Sequence, residues 1–213
     1  MIHEMQVAIF DLDGVIVDTA KYHFLAWKRL ANSLGFDFSE ADNERLKGVS
    51  RMRSLEILLE IGGLSLDDAA KARLTDQKND WYVESISRLD RSEILPGATE
   101  YLQRLLGRGI KTAIGSASKN TPLILDRLGI TQLFDVVIDG NSVSKAKPDP
   151  EVFLQAADAL HIAPEYCVVF EDAEAGIEAA RRAGMGSVGI GSPGTLKDAD
   201  VVVAGLWQLV LLG

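Results

Sequence analysis

One cysteine, Cys167, is all the thiol chemistry this chain has. A lone cysteine forms no internal disulfide and fits a reducing, cytoplasmic setting. It lies in Tyr166-Cys167-Val168-Val169-Phe170 and reads as a buried strand thiol rather than a nucleophile. Long hydrophobic runs are missing as well, so nothing approaches the ~20 apolar residues a membrane helix needs. The opening residues, interrupted by Glu4, do not read as a secretory signal. Positive charge is scarce: 22 Lys+Arg against 31 Asp+Glu leave a formal charge of −9, which argues against a nucleic-acid partner. An anionic substrate stays open, because a few basic groups can dominate the field of a cleft. Repeats and low-complexity tracts are absent. What remains is a 213-residue chain of soluble globular composition, long enough for a core domain and a smaller module.

Short apolar runs recur at Gln6–Phe10, Ile110–Ile114, Val136–Ile138, Cys167–Phe170, Ser187–Ile190 and Val201–Val203. Their nearly continuous Val/Ile/Ala content predicts strands covered on both faces, as in a parallel sheet. Between them lie helical patterns such as Ala98-Tyr101-Leu102-Leu105, so the fold class is α/β with right-handed crossovers. From about Thr19 to Arg91 the alternation stops. Lys21–Leu34 is periodic at Tyr22, Leu25, Ala26 and Leu30, Ser54–Ile61 follows a Gly48–Arg51 turn, and Asp67–Ile86 is long, with Ser65 as its cap. The expected organisation is a sheet core of residues 1–17 and 92–213 with an all-helical module, residues 18–91, inserted after the first strand.

Asp11 and Asp13 emerge where the first strand stops, and side chains two apart on a strand point the same way. Two carboxylates so placed repel, which raises the pKa of one or calls for a cation. In an open parallel sheet the residues beyond the carboxyl ends of successive strands converge. Here those are Asp11 and Asp13, then Ser116-Ala117-Ser118-Lys119-Asn120, then Lys147 before Pro148, then Glu171-Asp172. Carboxylates for a hard divalent ion, with a lysine and a hydroxyl for phosphate oxygens, describe phosphoryl transfer. In that scheme Asp11 is the nucleophile, Asp13 moves the proton, Asp11, Asp13, Glu171 and Asp172 hold Mg²⁺, and Lys147 and Ser116 contact phosphate.

Taken singly, each residue has a plainer explanation. Asp-x-Asp can be a polar turn, Asp172 a helix cap, Ser116 a turn hydroxyl, and Lys147 a solvated side chain. Lys78, between Asp76 and Asp80, belongs by position to a solvated helix face, and Arg51 beside Arg53 to a helix start. The run Gly189-Ile190-Gly191-Ser192-Pro193-Gly194 matches a dinucleotide pattern but has no long βαβ unit after it, and it reads as a turn.

Phe10-Asp11-Leu12-Asp13-Gly14-Val15, Ser116, Lys147-Pro148 and Glu171-Asp172 with Gly176 resemble the four motifs of the haloacid dehalogenase superfamily. The helical insertion resembles the cap of its phosphoglucomutase-like branch. The closer resemblance is to the hexose-phosphate mutases of that branch, through Asp18-Thr19-Ala20-Lys21-Tyr22-His23, Leu46-Lys47-Gly48-Val49-Ser50-Arg51, Lys78 and the Ser116–Asn120 run. The resemblance implies a Rossmann-like catalytic core with the helical module as its cap, Mg²⁺, an aspartyl-phosphate at Asp11, and interconversion of β-glucose 1-phosphate and β-glucose 6-phosphate through glucose 1,6-bisphosphate. It implies a substrate site of Thr19, His23, Gly48, Val49, Ser50, Arg51, Lys78, Ser116, Ala117, Ser118, Lys119, Asn120 and Lys147, with Arg51 gripping the phosphate that is not transferred. It also implies a monomer that binds small sugar phosphates, with no nucleic acid and no membrane. A phosphatase of the same superfamily is the first rival. A phosphoacceptor switch and a non-enzymatic ion-binding module are the others.

Overall fold

The computed structural model describes residues 4–46 and 49–211. The chain forms two compact units, Met1–Asp18 with Leu89–Gly213, and Thr19–Arg88.

The first unit is built on β1 (Val7–Phe10), β2 (Lys111–Gly115), β3 (Val136–Ile138), β4 (Cys167–Glu171), β5 (Gly186–Ile190) and β6 (Val201–Val203). These pair in the order β3-β2-β1-β4-β5-β6, every pair parallel. This is the doubly wound order, and its direction reverses between β1 and β4, where the crevice of such a sheet forms. β1 is buried along its whole length because helices cover both faces. Val7 and Ile9 point to one side, packing with Phe153 of α7 (Glu151–Ala159) and with Ala179 and Ala180 of α8 (Glu174–Ala183). Phe10 points to the other, stacked on Phe170 at 4.6 Å and edge-on to Tyr101 of α5 (Ala98–Gly107) and to Phe134. Burying one such ring is worth about 2–3 kcal/mol, so the alternation along four residues fixes the strand's register. The Cys167 thiol is buried, 3.7 Å from the Ala163 carbonyl, and desolvation pushes its pKa up to about 11, the state of an inert core thiol. Of the run 189–194, Gly189 and Ile190 close β5 rather than turn, and the turn itself falls at residues 193–195.

The second unit contains α1 (Ala20–Ser33), α2 (Glu40–Glu44), α3 (Arg51–Ile61) and α4 (Asp68–Ile86). Its core joins Trp27, Leu30, Ala31, Phe38, Leu55 and Leu58. Two expectations change. The inward face of α1 is Ala26, Trp27, Leu30 and Ala31, whereas Leu25 is 55% exposed. The bulk of Trp27 sets the helix rotation, and the smaller Leu25 is left outside. The cap of α4 is Asp67, whose side chain accepts the Ala70 N–H at 2.7 Å, and not Ser65. Among the described residues no helix is long and apolar enough to cross a membrane.

Candidate active site

The Asp11 N–H donates to the Phe170 carbonyl at 2.9 Å, which carries the β1–β4 ladder one residue past the strand and sets Asp11 beside the end of β4. The chain then turns tightly, with Gly14 N–H to Val17 carbonyl at 2.9 Å and Ile16 N–H to Leu12 carbonyl at 2.9 Å. Gly14 takes φ +83°, and a Cβ there would run into the Asp172 carboxylate, so the turn needs glycine twice over. At the end of β4, Glu171 is 1% exposed and accepts the Ala173 N–H at 2.9 Å. The N-cap of α8 is Ala173, with no side-chain cap bond, so Asp172 is not spent on capping.

Lys147 reaches into this corner. Its Nζ donates to Asp11 Oδ1 at 2.6 Å and to Glu171 Oε1 at 2.8 Å, with all three side chains close to fully buried. The solvated position that its sequence context allows is therefore not the one it takes. Asp11 and Glu171 hold its pKa above the ordinary lysine value against the opposing effect of burial, so it stays charged. One lysine does not balance the acids around it. Burial, only partly offset by Lys147, pushes the Asp11 carboxyl well above the usual range, and Glu171, Asp13 and Asp172 add to the rise. Asp172 is pushed up to about 7 by desolvation, then by Glu171 and Asp13. The Asp172 residue is exposed at the rim, where water tempers the burial part. The like-charge part remains, and the direction is upward.

Carboxylate oxygens of Asp11, Glu171 and Asp172 all lie within 4.8 Å of one another. A hard-oxygen donor set carrying surplus negative charge suits a small divalent cation, so the residues present fit Mg²⁺. Asp13 is half-buried, and its carboxyl is not in that three-residue cluster. It is near enough to raise both Asp11 and Asp172.

These shifts carry a pH prediction. A carboxyl whose pKa is raised by folding binds its proton more tightly in the folded state. Without a cation, stability therefore falls as pH climbs from the ordinary carboxylate range through about 7, the raised value for Asp172, with Asp11 adding to the fall. Mg²⁺ competes with that proton, so its increase in melting temperature should be larger at about pH 8 than at about pH 5.5. Equal increases at the two pH values would place the cation elsewhere.

Beyond β2, Ser116 is 1% exposed; its N–H donates to the Ile138 carbonyl at 3.0 Å and its Oγ accepts the Ser118 N–H at 3.1 Å. Ser118 Oγ in turn accepts the Asn120 N–H at 3.3 Å, so the run coils on its own hydroxyls. Ala117 and Lys119 are exposed.

In the helical unit the largest surprise is Lys78. It is 3% exposed, not solvated. Its Nζ lies 2.9 Å from His23 Nδ1, 4.6 Å from the Trp27 ring centre and 4.9 Å from that of Tyr82. His23 stacks on Tyr82 at 4.0 Å. Desolvation first, then the charges of Lys78 and Arg51, drives the His23 pKa well below its usual value. A neutral ring that accepts from an ammonium at Nδ1 carries its proton on Nε2. Arg51 is the first residue of α3, half-buried, with the Ser50 hydroxyl accepting the Arg53 N–H at 3.3 Å as cap. Thr19 is fully buried ahead of α1, Val49 and Ser50 are exposed, and Gly48 lies outside the described residues. Sequence reasoning missed Tyr82 and Trp27 as the rings that accommodate Lys78. The signal was the spacing Thr75, Lys78, Tyr82, Ile86 along α4, a helical stripe once lysine is admitted to it.

A profile of haloacid dehalogenase-like hydrolases matches residues 5–184. The chain is 45% identical over 209 residues to a β-phosphoglucomutase of Bacillus subtilis, covering 97% of this chain and 92% of that protein. It is 34% identical over 186 residues to a phosphorylated carbohydrates phosphatase of Thermotoga maritima, covering 85% and 82%. A crystal structure of β-phosphoglucomutase from Clostridium difficile superposes with a TM-score of 0.90 at 43% identity, covering 96% of this chain and 93% of that one.

Proposed function

We propose that this chain, which belongs to the haloacid dehalogenase-like hydrolase family, is a β-phosphoglucomutase that interconverts β-D-glucose 1-phosphate and β-D-glucose 6-phosphate. The observation that carries the reading is likeness to β-phosphoglucomutases over nearly the full length of both chains, helical unit included. The phosphatase relative is less similar and spans less of the chain.

The residues give the reaction a route. Asp11 attacks the phosphorus of bound glucose 1,6-bisphosphate; the P–O bond to the sugar breaks as the P–O bond to Asp11 forms. The released sugar oxygen takes its proton from Asp13. In the return step the hydroxyl of a sugar monophosphate gives its proton to Asp13 and attacks the phosphoaspartate, which restores Asp11 and yields the bisphosphate. Lys147 sits against Asp11 Oδ1 and supplies a fixed positive charge for the phosphoryl oxygens. Asp11, Glu171 and Asp172 would hold Mg²⁺, which when bound neutralises phosphate charge beside the nucleophile. Ser116, Lys119 and Asn120 are assigned to the substrate's oxygens. Arg51, whose guanidinium stays charged and grips phosphate through two N–H groups, is assigned to the phosphate that is not transferred.

Product analysis decides between mutase and phosphatase. β-Glucose 1-phosphate with Mg²⁺ and a trace of glucose 1,6-bisphosphate should yield glucose 6-phosphate. Steady release of inorganic phosphate without isomerisation would overturn the mutase reading. Arg51→Ala should lower kcat/KM for isomerisation by about 10- to 100-fold, the worth of a charge-assisted pair. Hydrolysis of a small phosphate ester should change by less than about threefold. Equal losses would remove Arg51 from the second phosphate.

A further inference from the structure

The turn after β3 holds the loop that carries the substrate-binding run. Asp139 is 6% exposed. Its Oδ1 accepts the Asn141 N–H at 2.9 Å and the Ser142 hydroxyl at 3.2 Å, and its Oδ2 accepts the Asn141 side-chain amide at 2.9 Å. The same Asn141 Nδ2 donates to the Lys119 carbonyl at 3.0 Å. Both partners of that amide group are acceptors, so the nitrogen, with its two hydrogens, must face them. One residue earlier, the Gly140 N–H donates to the Ser118 carbonyl at 3.2 Å, and a Cβ on Gly140 would overlap the Ala117 carbonyl. Three consecutive carbonyls, at 117, 118 and 119, thus rest on residues 140 and 141.

We propose that Asn141 is a positioning residue for phosphate recognition: its amide pins the main chain at Lys119 and so fixes where the Lys119 ammonium can reach. The proposal rests on the assignment of Lys119 to the substrate. Lys119 is exposed and carries its charge on a four-carbon stem, so anchoring its main chain is what this turn contributes. Next to the clamp lies a cavity of about 240 Å³ whose lining includes Lys119, Gly140, Lys145 and Lys147 and, among the described residues, no acidic one. Asp139 orients Asn141, as a carboxylate orients a working group behind a site. Asn141 touches no reacting atom and acts only through Lys119.

The test is a double-mutant cycle of Asn141→Ala with Lys119→Ala. Asn141→Ala should raise KM for β-glucose 1-phosphate by about 3- to 10-fold, the worth of one hydrogen bond, while kcat changes by less than about twofold. In the Lys119→Ala background the same substitution should alter KM by less than about twofold. Asn141→Ser, which can still reach Asp139 but not Lys119, should keep the melting temperature and reproduce the KM effect. Asn141→Asp has the same shape with no donor and should lose at least as much as alanine. An unchanged KM in Asn141→Ala, or equal KM effects in both backgrounds, would overturn the proposal. Absence of isomerisation by the wild-type chain would count against the mutase reading alone. The coupling between Asn141 and Lys119 would then be read from the affinity for inorganic phosphate.

Discussion

Asp11→Asn should leave a folded protein whose turnover is lower by about 10⁴-fold or more, the scale seen when a covalent nucleophile is removed. Asparagine keeps the shape and one carbonyl oxygen but cannot form the acyl phosphate. The fold should tolerate the change for a specific reason. Asp11 is a buried acid pushed upward by desolvation and by three neighbouring carboxylates, so its ionised form is costly there. Lys147 exchanges a charged acceptor at 2.6 Å for a neutral amide oxygen and keeps Glu171 at 2.8 Å. The melting temperature without Mg²⁺ should therefore stay level or rise, while Mg²⁺ stabilises the variant less than the wild type. Radiolabel from glucose 1,6-bisphosphate should appear on the wild-type protein under acid quench and not on the variant. Activity within tenfold of wild type would remove Asp11 as the nucleophile, and a large drop in melting temperature would mean that its role is structural.

Lys147→Ala should damage both stability and turnover. The lysine is the buried cation against Asp11 and Glu171, and removing one partner of a buried ion pair costs about 3–5 kcal/mol because the other charges stay behind. The remaining acids lower that cost by taking up a proton, so the loss should be largest above about pH 7 and smaller in mild acid. Mg²⁺ should restore part of the lost stability, since it supplies positive charge to the same carboxylates. It should not restore turnover, because the charge proposed to face the phosphoryl group is gone. Denaturant unfolding with and without Mg²⁺, beside steady-state rates, measures both. A variant as stable as wild type at about pH 8 would contradict the buried pairing.

The acids were legible because their placement follows from a simple rule. Parallel strands all end on one side, so Asp11, Ser116, Lys147 and Glu171-Asp172 could be gathered from strand ends alone. Burial of the strands on both faces was legible for the same reason, in their uninterrupted apolar content. Lys78 was not. Its neighbours Asp76 and Asp80 mark a charged stretch, and nothing local says that the helix turns this one ammonium toward Trp27, Tyr82 and His23. Leu25 failed in the opposite sense: its apolarity argued for the inward face of α1, and the packing of Trp27 decided otherwise. Asn141 was invisible because its importance lies in a carbonyl 22 positions earlier in the chain.

By itself the amino-acid order determined the class of fold and the candidate carboxylates at the ends of its strands, since strand periodicity and residue chemistry are local properties. Only the tertiary structure decided which charges are buried and whom they meet: Lys147 between two acids, Lys78 against a neutral imidazole, Asn141 beneath the Lys119 main chain. Those pairings depend on desolvation and on distances of about 3 Å between residues far apart in the chain, and no local pattern encodes either.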